Sequence, residues 1–140
     1  MTQVRWTSRL GRHAVRRFKE EKVIWLTTVG RGGSPQPRLV WFLWDRGRFL
    51  IYSRAPGRKL IHIRRNPKVA LSLNSDSDGD DVVVVLGNAR IDRSLPRADQ
   101  VPAYVRKYRS AIKSLGATPA KFGAEYSVPI TITPTAFRGM

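Results

Sequence analysis

Five polar side chains between positions 38 and 59 can meet an anion: Arg38, Tyr52, Ser53, Arg58 and Lys59. Arg38 is the one charge in an extended run, 38–44, that is otherwise apolar on both faces. Strand alternation sets Arg38, Val40, Phe42 and Trp44 on one face and Leu39, Trp41 and Leu43 on the other. A guanidinium in such a run requires a partner, because desolvating it alone costs several kcal/mol. Tyr52 and Ser53 close the next strand with two hydroxyls. Arg58 and Lys59 open a helix, where free N–H groups and the positive end of the dipole add to their charge. Cations, hydroxyls and backbone amides converging at a strand end are the parts of a phosphate grip. Each also has a plainer reading: an internal salt bridge for Arg38, and a solvated helix turn for Arg58 and Lys59.

Other chemistries lack their residues. Cysteine is absent, which excludes disulfides, thiolate catalysis and cysteine-ligated metals. His13 and His62 lie in basic helices without a nearby carboxylate and read as core or surface side chains. The acids cluster in one loop or on surface helices rather than as a catalytic pair, and no glycine-rich phosphate loop occurs. Asn74, Asp76, Asp78 and Gly79 match the opening of a calcium-binding loop, but Val85 stands where the bidentate glutamate belongs. That stretch reads as an acidic hairpin loop, and no metal is expected. A chain poor in acid–base groups and rich in anion-binding ones suits an enzyme whose cofactor carries the chemistry, with no catalytic side chain of its own.

The elements that must position these residues follow from pattern. A basic N-terminal helix is expected within residues 1–21, capped by Ser8, with Leu10, Ala14 and Phe18 inward and a stripe of Arg5, Arg9, Arg12, Arg16 and Lys19 outward. Strands are expected at 23–29, 38–44, 49–53, 68–73, 82–91 and 128–133, with Arg46-Gly47 as a hairpin turn and Gly87 as a bulge or close approach. Pro35 and Pro37 place the start of the central strand on an edge. Helices are expected at about 57–66, 98–115 and 118–125, the last started by Thr118-Pro119 with proline in its first turn. In 98–115, Val101, Val105, Tyr108, Ile112 and Leu115 share a face. Six or seven strands with a few helices, and no linker or repeat, make one mainly β (α+β) domain over residues 1–140.

The formal net charge is +16, and it is lopsided: residues 1–70 hold 17 Lys+Arg against 3 Asp+Glu, whereas 71–140 hold 9 against 7. Such a field attracts polyanions: nucleic acid, an anionic membrane surface or a polyanionic cofactor. No apolar run is long enough for a membrane span and no secretory signal is present, so the expected location is the cytoplasm.

The order Arg-x-Val from Arg38, Tyr52-Ser53, Arg58-Lys59 and Asn66-Pro67-x-Val69-Ala70-Leu71 resembles the pyridoxamine-phosphate-oxidase-like, FMN-binding split β-barrel family. The resemblance extends through Val-Leu-Gly-Asn-Ala-Arg at 85–90, Tyr-Val-Arg-Lys-Tyr-Arg at 104–109 and the closing Tyr-Ser-Val-Pro-Ile-Thr-Ile-Thr-Pro. It is strongest toward the branch of probable deazaflavin (coenzyme F420)-dependent oxidoreductases. It implies a six- to seven-stranded split barrel with peripheral helices, a homodimer with the cofactor at the interface, and hydride transfer to a small organic acceptor. Trp25, Trp41 and Trp44 offer apolar area for such an interface, and core packing accounts for them equally well. By the same resemblance Arg38, Tyr52, Ser53, Arg58 and Lys59 would bind the cofactor phosphate, and Leu39 and Val40 would line the ring with backbone contacts. Two departures bear on the cofactor. Val82 replaces a flavin-contacting glutamine of the FMN oxidases, and their Arg-Leu-x-Pro ending is missing, which argues against pyridoxamine phosphate oxidase activity itself. The polyglutamate tail of the deazaflavin coenzyme would meet the basic first half. The alternatives are an FMN-binding oxidoreductase or flavin reductase on the same fold, and a non-catalytic basic barrel that binds nucleic acid. A haem-binding or cofactor-storage role would depend on His62 as an axial ligand.

Overall fold

The Ser8 side chain accepts a hydrogen bond from the Gly11 N–H (3.0 Å), and helix α1 (Arg9–Glu20) begins there, as a capping serine dictates. The computed structural model describes residues 4–139, so residues 1–3 of the expected 1–21 segment lie outside it. Gly11, Ala14 and Phe18 are the buried face of α1. Leu10, expected inside, is largely exposed, because the chain at Arg5 and Trp6 folds back onto Gly11, where a Cβ would meet backbone at 2.7 Å. Arg5 therefore precedes the helix, and the stripe on α1 is Arg9, Arg12, Arg16 and Lys19.

Seven strands follow: β1 (Ile24–Val29), β2 (Pro35–Val40), β3 (Leu43–Asp45), β4 (Arg48–Ser53), β5 (Lys68–Ser72), β6 (Val83–Ile91) and β7 (Val128–Gly139). They form one sheet in the order β2-β1-β5-β6-β7-β4-β3, antiparallel throughout. Arg46 (φ 54°) and Gly47 (φ 79°) both take positive φ in the turn between β3 and β4, the geometry a tight hairpin demands. β2, which contains Pro35 and Pro37, pairs only with β1 and is an edge strand, where a missing N–H is tolerated. The final strand is twice the expected length, because β6 pairs it from Ile91↔Ile130 to Val83↔Gly139. The register shifts at Leu86/Gly87, where a Cβ on Gly87 would lie 2.7 Å from the Thr133 carbonyl.

The expected single strand 38–44 is two strands at opposite edges of the sheet. β2 and β3 are separated only by Trp41 and Phe42, yet five strands lie between them in the order. Three Cα steps of 3.8 Å span at most about 11 Å, so the sheet must curl until its edges nearly meet. This is the split barrel: it is closed by a two-residue crossover rather than by a ladder. The alternation of faces survives the break. Val40, Phe42 and Trp44 pack on the barrel core, and Trp41 and Leu43 on the cluster outside it.

Helix α2 (Arg58–Arg65) follows β4, and α3 (Pro102–Ser114) and α4 (Pro119–Glu125) precede β7. The expected helix 98–115 is broken at Val101 (φ −109°, ψ 100°) into a 3₁₀ turn and α3, because a residue before proline disfavours the α conformation. The buried face of α3 is Tyr104, Tyr108 and Ile112, while Leu115 lies beyond the helix end and is 63% exposed. Thr118 caps α4 by accepting from the Lys121 N–H (3.2 Å), with Pro119 in the first turn. β4 is buried on both sides. Phe49 and Ile51 enter the barrel core with Phe18, Leu26, Phe42, Val85, Ile130 and Ile132, whereas Leu50 and Tyr52 join the cluster under α3 and α4.

Candidate functional site

The crossover leaves backbone groups without a ladder partner, and α3 supplies them. The Phe42 N–H donates to the Tyr108 Oη (2.8 Å), whose own proton is within reach of the carbonyls of Lys22 (2.7 Å) and Phe42 (2.9 Å). The Lys107 Nζ also donates to the Phe42 carbonyl (2.9 Å) and sits 3.7 Å from the centre of the Phe42 ring. Tyr108 and Lys107 thus fix the crossover, and with it the strand end of β2. Neither was singled out as a site residue, since 66 positions separate Tyr108 from Phe42.

A cleft of about 310 Å³ opens beside that strand end. Its walls are Leu39 and Val40 of β2, Trp41 of the crossover, Tyr52 of β4, Lys59 of α2, Tyr104 of α3, and Leu115, Phe122 and Tyr126. Four of the seven sequence-expected site residues, Leu39, Val40, Tyr52 and Lys59, therefore line one space. The aromatic wall was not anticipated. Trp41 stacks on Tyr108 (centroids 4.6 Å apart, planes 5° apart) and on Phe122 (5.2 Å), and Phe122 stacks on Tyr126 (4.6 Å). The apolar periodicity of the last helices pointed to core packing and carried no sign that their aromatics also face a cleft.

The cations beside the cleft are not neutralised. Arg38 makes no ion pair among the described residues, and its Nε is buried without a hydrogen-bond partner. The salt bridge inside the barrel is therefore not formed. Lys59 is held below the usual lysine pKa, first by burial and then by the Arg38 guanidinium close to it. Two cations drawn out of water beside one another, without an acid, form a site that an anion would stabilise.

Ser53 is fully buried and its Oγ donates to the Arg54 carbonyl (3.0 Å). At Gly57 a Cβ would stand 3.0 Å from that same carbonyl and 3.3 Å from the Ser53 Oγ, so the 54–57 turn closes tightly over the strand end. Arg58 is exposed in the first turn of α2. Arg38, Ser53 and Arg58 adjoin lining residues in the chain but do not line the cleft themselves. The Tyr52 hydroxyl donates to the Pro96 carbonyl (2.7 Å) and its pKa is pushed up to about 12, by burial and then by the Asp99 charge. Burial likewise raises Tyr104. These phenols stay protonated at neutral pH and are not proton acceptors there.

The histidines lie elsewhere. His13, expected to lack a carboxylate, has its Nε2 2.6 Å from the Asp81 Oδ1 across 68 positions, and the His62 Nδ1 is 3.0 Å from the Thr28 hydroxyl. The 74–81 loop is turned by Asp76, whose carboxylate accepts from the N–H groups of Asp78 (3.0 Å) and Asp80 (2.8 Å).

The profile of the pyridoxamine 5'-phosphate oxidase family matches residues 11–139. The chain belongs to that family. A pyridoxine/pyridoxamine 5'-phosphate oxidase of Sodalis glossinidius is 31% identical over 105 residues, 68% of this chain and 48% of that protein. The chain thus spans about half the length of that curated relative. Among solved structures, a conserved hypothetical protein of Mycobacterium tuberculosis aligns with a TM-score of 0.74 at 19% identity, covering 99% of this chain and 89% of the other. An F420 reductase aligns with a TM-score of 0.60 at 25% identity, covering 83% of this chain and 88% of the other. Pyridoxamine 5'-phosphate oxidase-like proteins are flavin-binding oxidoreductases on a split barrel, and the seven-stranded curled sheet here is that fold. No described helix is long and apolar enough to cross a membrane.

Proposed function

We propose that the chain is a deazaflavin (coenzyme F420)-dependent oxidoreductase that acts as a homodimer and passes hydride to a small organic acceptor. The observation that carries the reading is Arg38: a guanidinium with a buried, unpartnered Nε close to the depressed Lys59, which itself lines an aromatic cleft. Those residues fit a cofactor phosphate, which would supply the missing charge and hydrogen-bond acceptors at once. Arg38 and Lys59 would hold the phosphate, with Arg58 and the amides of the first turn of α2 as outer contacts. Leu39 and Val40 would set the backbone against the ring, and Trp41 would keep water from that side. Tyr52 and Ser53 would shape the strand end, because their hydroxyl protons are already given to Pro96 and Arg54. The bound cofactor supplies hydride chemistry, and none of the lining side chains is asked to act as a base.

The F420 reductase among the similar structures and the basic first half of the chain support the deazaflavin over FMN. The family itself supports FMN, which is the second reading. Fluorescence titration with both coenzymes, using the wild type and the Arg38→Ala and Lys59→Ala variants, separates the two. Deazaflavin binding weakened about 10- to 100-fold by either substitution is the expected result, on the scale of one charge-assisted contact. Preference for FMN selects the flavin reading, and binding of neither removes both.

A further inference from the structure

α1 carries cations on two sides, and their surroundings differ. Toward the acidic loop, His13 and Arg17 meet Asp81, and Arg17 also meets Glu21. On another side, Lys19 joins Lys22 and the α3 residues Arg106 and Lys107 around a second cleft of about 310 Å³, walled in part by Leu43 and Trp44. No carboxylate lines this cleft, and none of its four cations is in an ion pair among the described residues. The Lys22 Nζ donates to the Lys107 carbonyl (2.6 Å), and the Lys107 Nζ to the carbonyls of Phe18 (3.2 Å) and Phe42 (2.9 Å). Lysine has three donors, so Lys22 keeps two free, and Lys19 and Arg106 are exposed with all of theirs. The crowding has a cost: Lys107 is lowered to about 8, by burial and then by the Lys22 charge. Glu21 pulls the other way on Lys107 but lies outside the lining and pairs with Arg17, so the gathered like charges would still be stabilised by a bound anion. This cleft shares no lining residue with the one at Arg38 and Lys59, because α3 turns Tyr104 toward one and Arg106 and Lys107 toward the other.

We propose that the α1–α3 cleft is a separate binding site for a nucleoside triphosphate. Four cations match the charge of a triphosphate, about −3 to −4, whereas a monophosphate would leave most of them uncompensated. The Arg106 guanidinium offers a planar fork suited to phosphate oxygens, and the half-buried Trp44 offers an apolar wall for a base. The volume is at the small end of the range for small-molecule sites, and α1 and α3 bound it on two sides, so a bilayer or a duplex would reach only its rim.

Calorimetric titration of the full chain with ATP, AMP and inorganic triphosphate at physiological salt tests this. One site is expected, with ATP at least tenfold tighter than AMP and than triphosphate alone. The double variant Lys19→Gln/Arg106→Gln, which changes two exposed side chains, should weaken ATP at least tenfold with unchanged circular dichroism. Arg64→Gln/Arg93→Gln removes the same charge elsewhere and should leave ATP affinity within twofold, as should Lys59→Met in the other cleft. Equal loss in either control, equal binding of AMP or triphosphate, or no ATP binding overturns the proposal.

Discussion

Arg17 and Arg38 are both guanidiniums drawn partly out of water, and the fold treats them in opposite ways. The Arg17 side chain is 11% exposed, and both of its terminal nitrogens are engaged: Nη1 donates to the Asp81 carbonyl (2.7 Å), and Nη2 to the Glu21 Oε1 (2.6 Å) and the Asn74 carbonyl (2.7 Å). It ties α1 to the acidic loop between β5 and β6. Arg38, at an edge strand, has a buried Nε without a partner and a second cation beside it. A satisfied buried charge can hold a structure together, whereas an unsatisfied one weakens it unless something else binds. The first region is built for stability. The second is incomplete as a chain alone, and that incompleteness is what recommends it as a binding site.

Substitutions should separate the two. Arg17→Ala is expected to lower stability most, by about 2–3 kcal/mol in urea denaturation, because it removes bonds to two backbone carbonyls as well as exposed ion pairs. Coenzyme affinity should not change. Tyr108→Phe would create a new orphan by stripping the Phe42 N–H of its acceptor, with a cost of about 1–3 kcal/mol in the same measurement. Arg38→Met should do the reverse: it should leave unfolding of the coenzyme-free protein unchanged or make it harder by up to about 1 kcal/mol, while weakening the coenzyme. Loss of stability in Arg38→Met comparable to that in Arg17→Ala would erase the distinction.

Two smaller effects follow from pH. Asp81 is lowered chiefly by its hydrogen bond with His13, so its contribution is present above the ordinary aspartate pKa and is lost as pH falls through the lower folded value. Asp81→Asn should flatten that acid limb of the stability curve, seen as denaturation midpoints between about pH 5 and 2. Lys59 is shifted the other way for a cation: its charged form is disfavoured in the fold, so stability of the free chain rises with pH between its lowered pKa and the ordinary lysine value near 10.4. Phosphate binding needs the ammonium, and coenzyme affinity should therefore fall as pH rises through the same window. Lys59→Met should remove that dependence.

How far each region could be read from sequence depends on the range of its contacts. The Ser8 cap, the Thr118-Pro119 start, the Arg46-Gly47 turn and the bulge at Gly87 are local, and each was legible from residue type alone. The face alternation from Val40 to Trp44 was legible as well. The crossover within it was not, because an unbroken apolar run looks the same whether its ends pair with one partner or with opposite edges of a sheet. The missing partner of Arg38 could be posed as a question by its apolar surroundings but answered only in three dimensions. Arg17 reaches Asn74 and Asp81 across 57 and 64 positions, and Tyr108 reaches Phe42 across 66, beyond the reach of periodicity.

The strand order has a consequence for how this chain can be made. β7, the last strand of the domain, lies between β6 and β4 in the middle of the sheet. Until it arrives, the earlier strands form two separate fragments, β2-β1-β5-β6 and β4-β3, joined at their far edges only by Trp41 and Phe42. The side chains that fix that joint, Lys107 and Tyr108, are also translated late. On the ribosome the barrel cannot close as it emerges, and its apolar strands wait for the 12 residues of β7, a large non-local closure of the kind that slows folding.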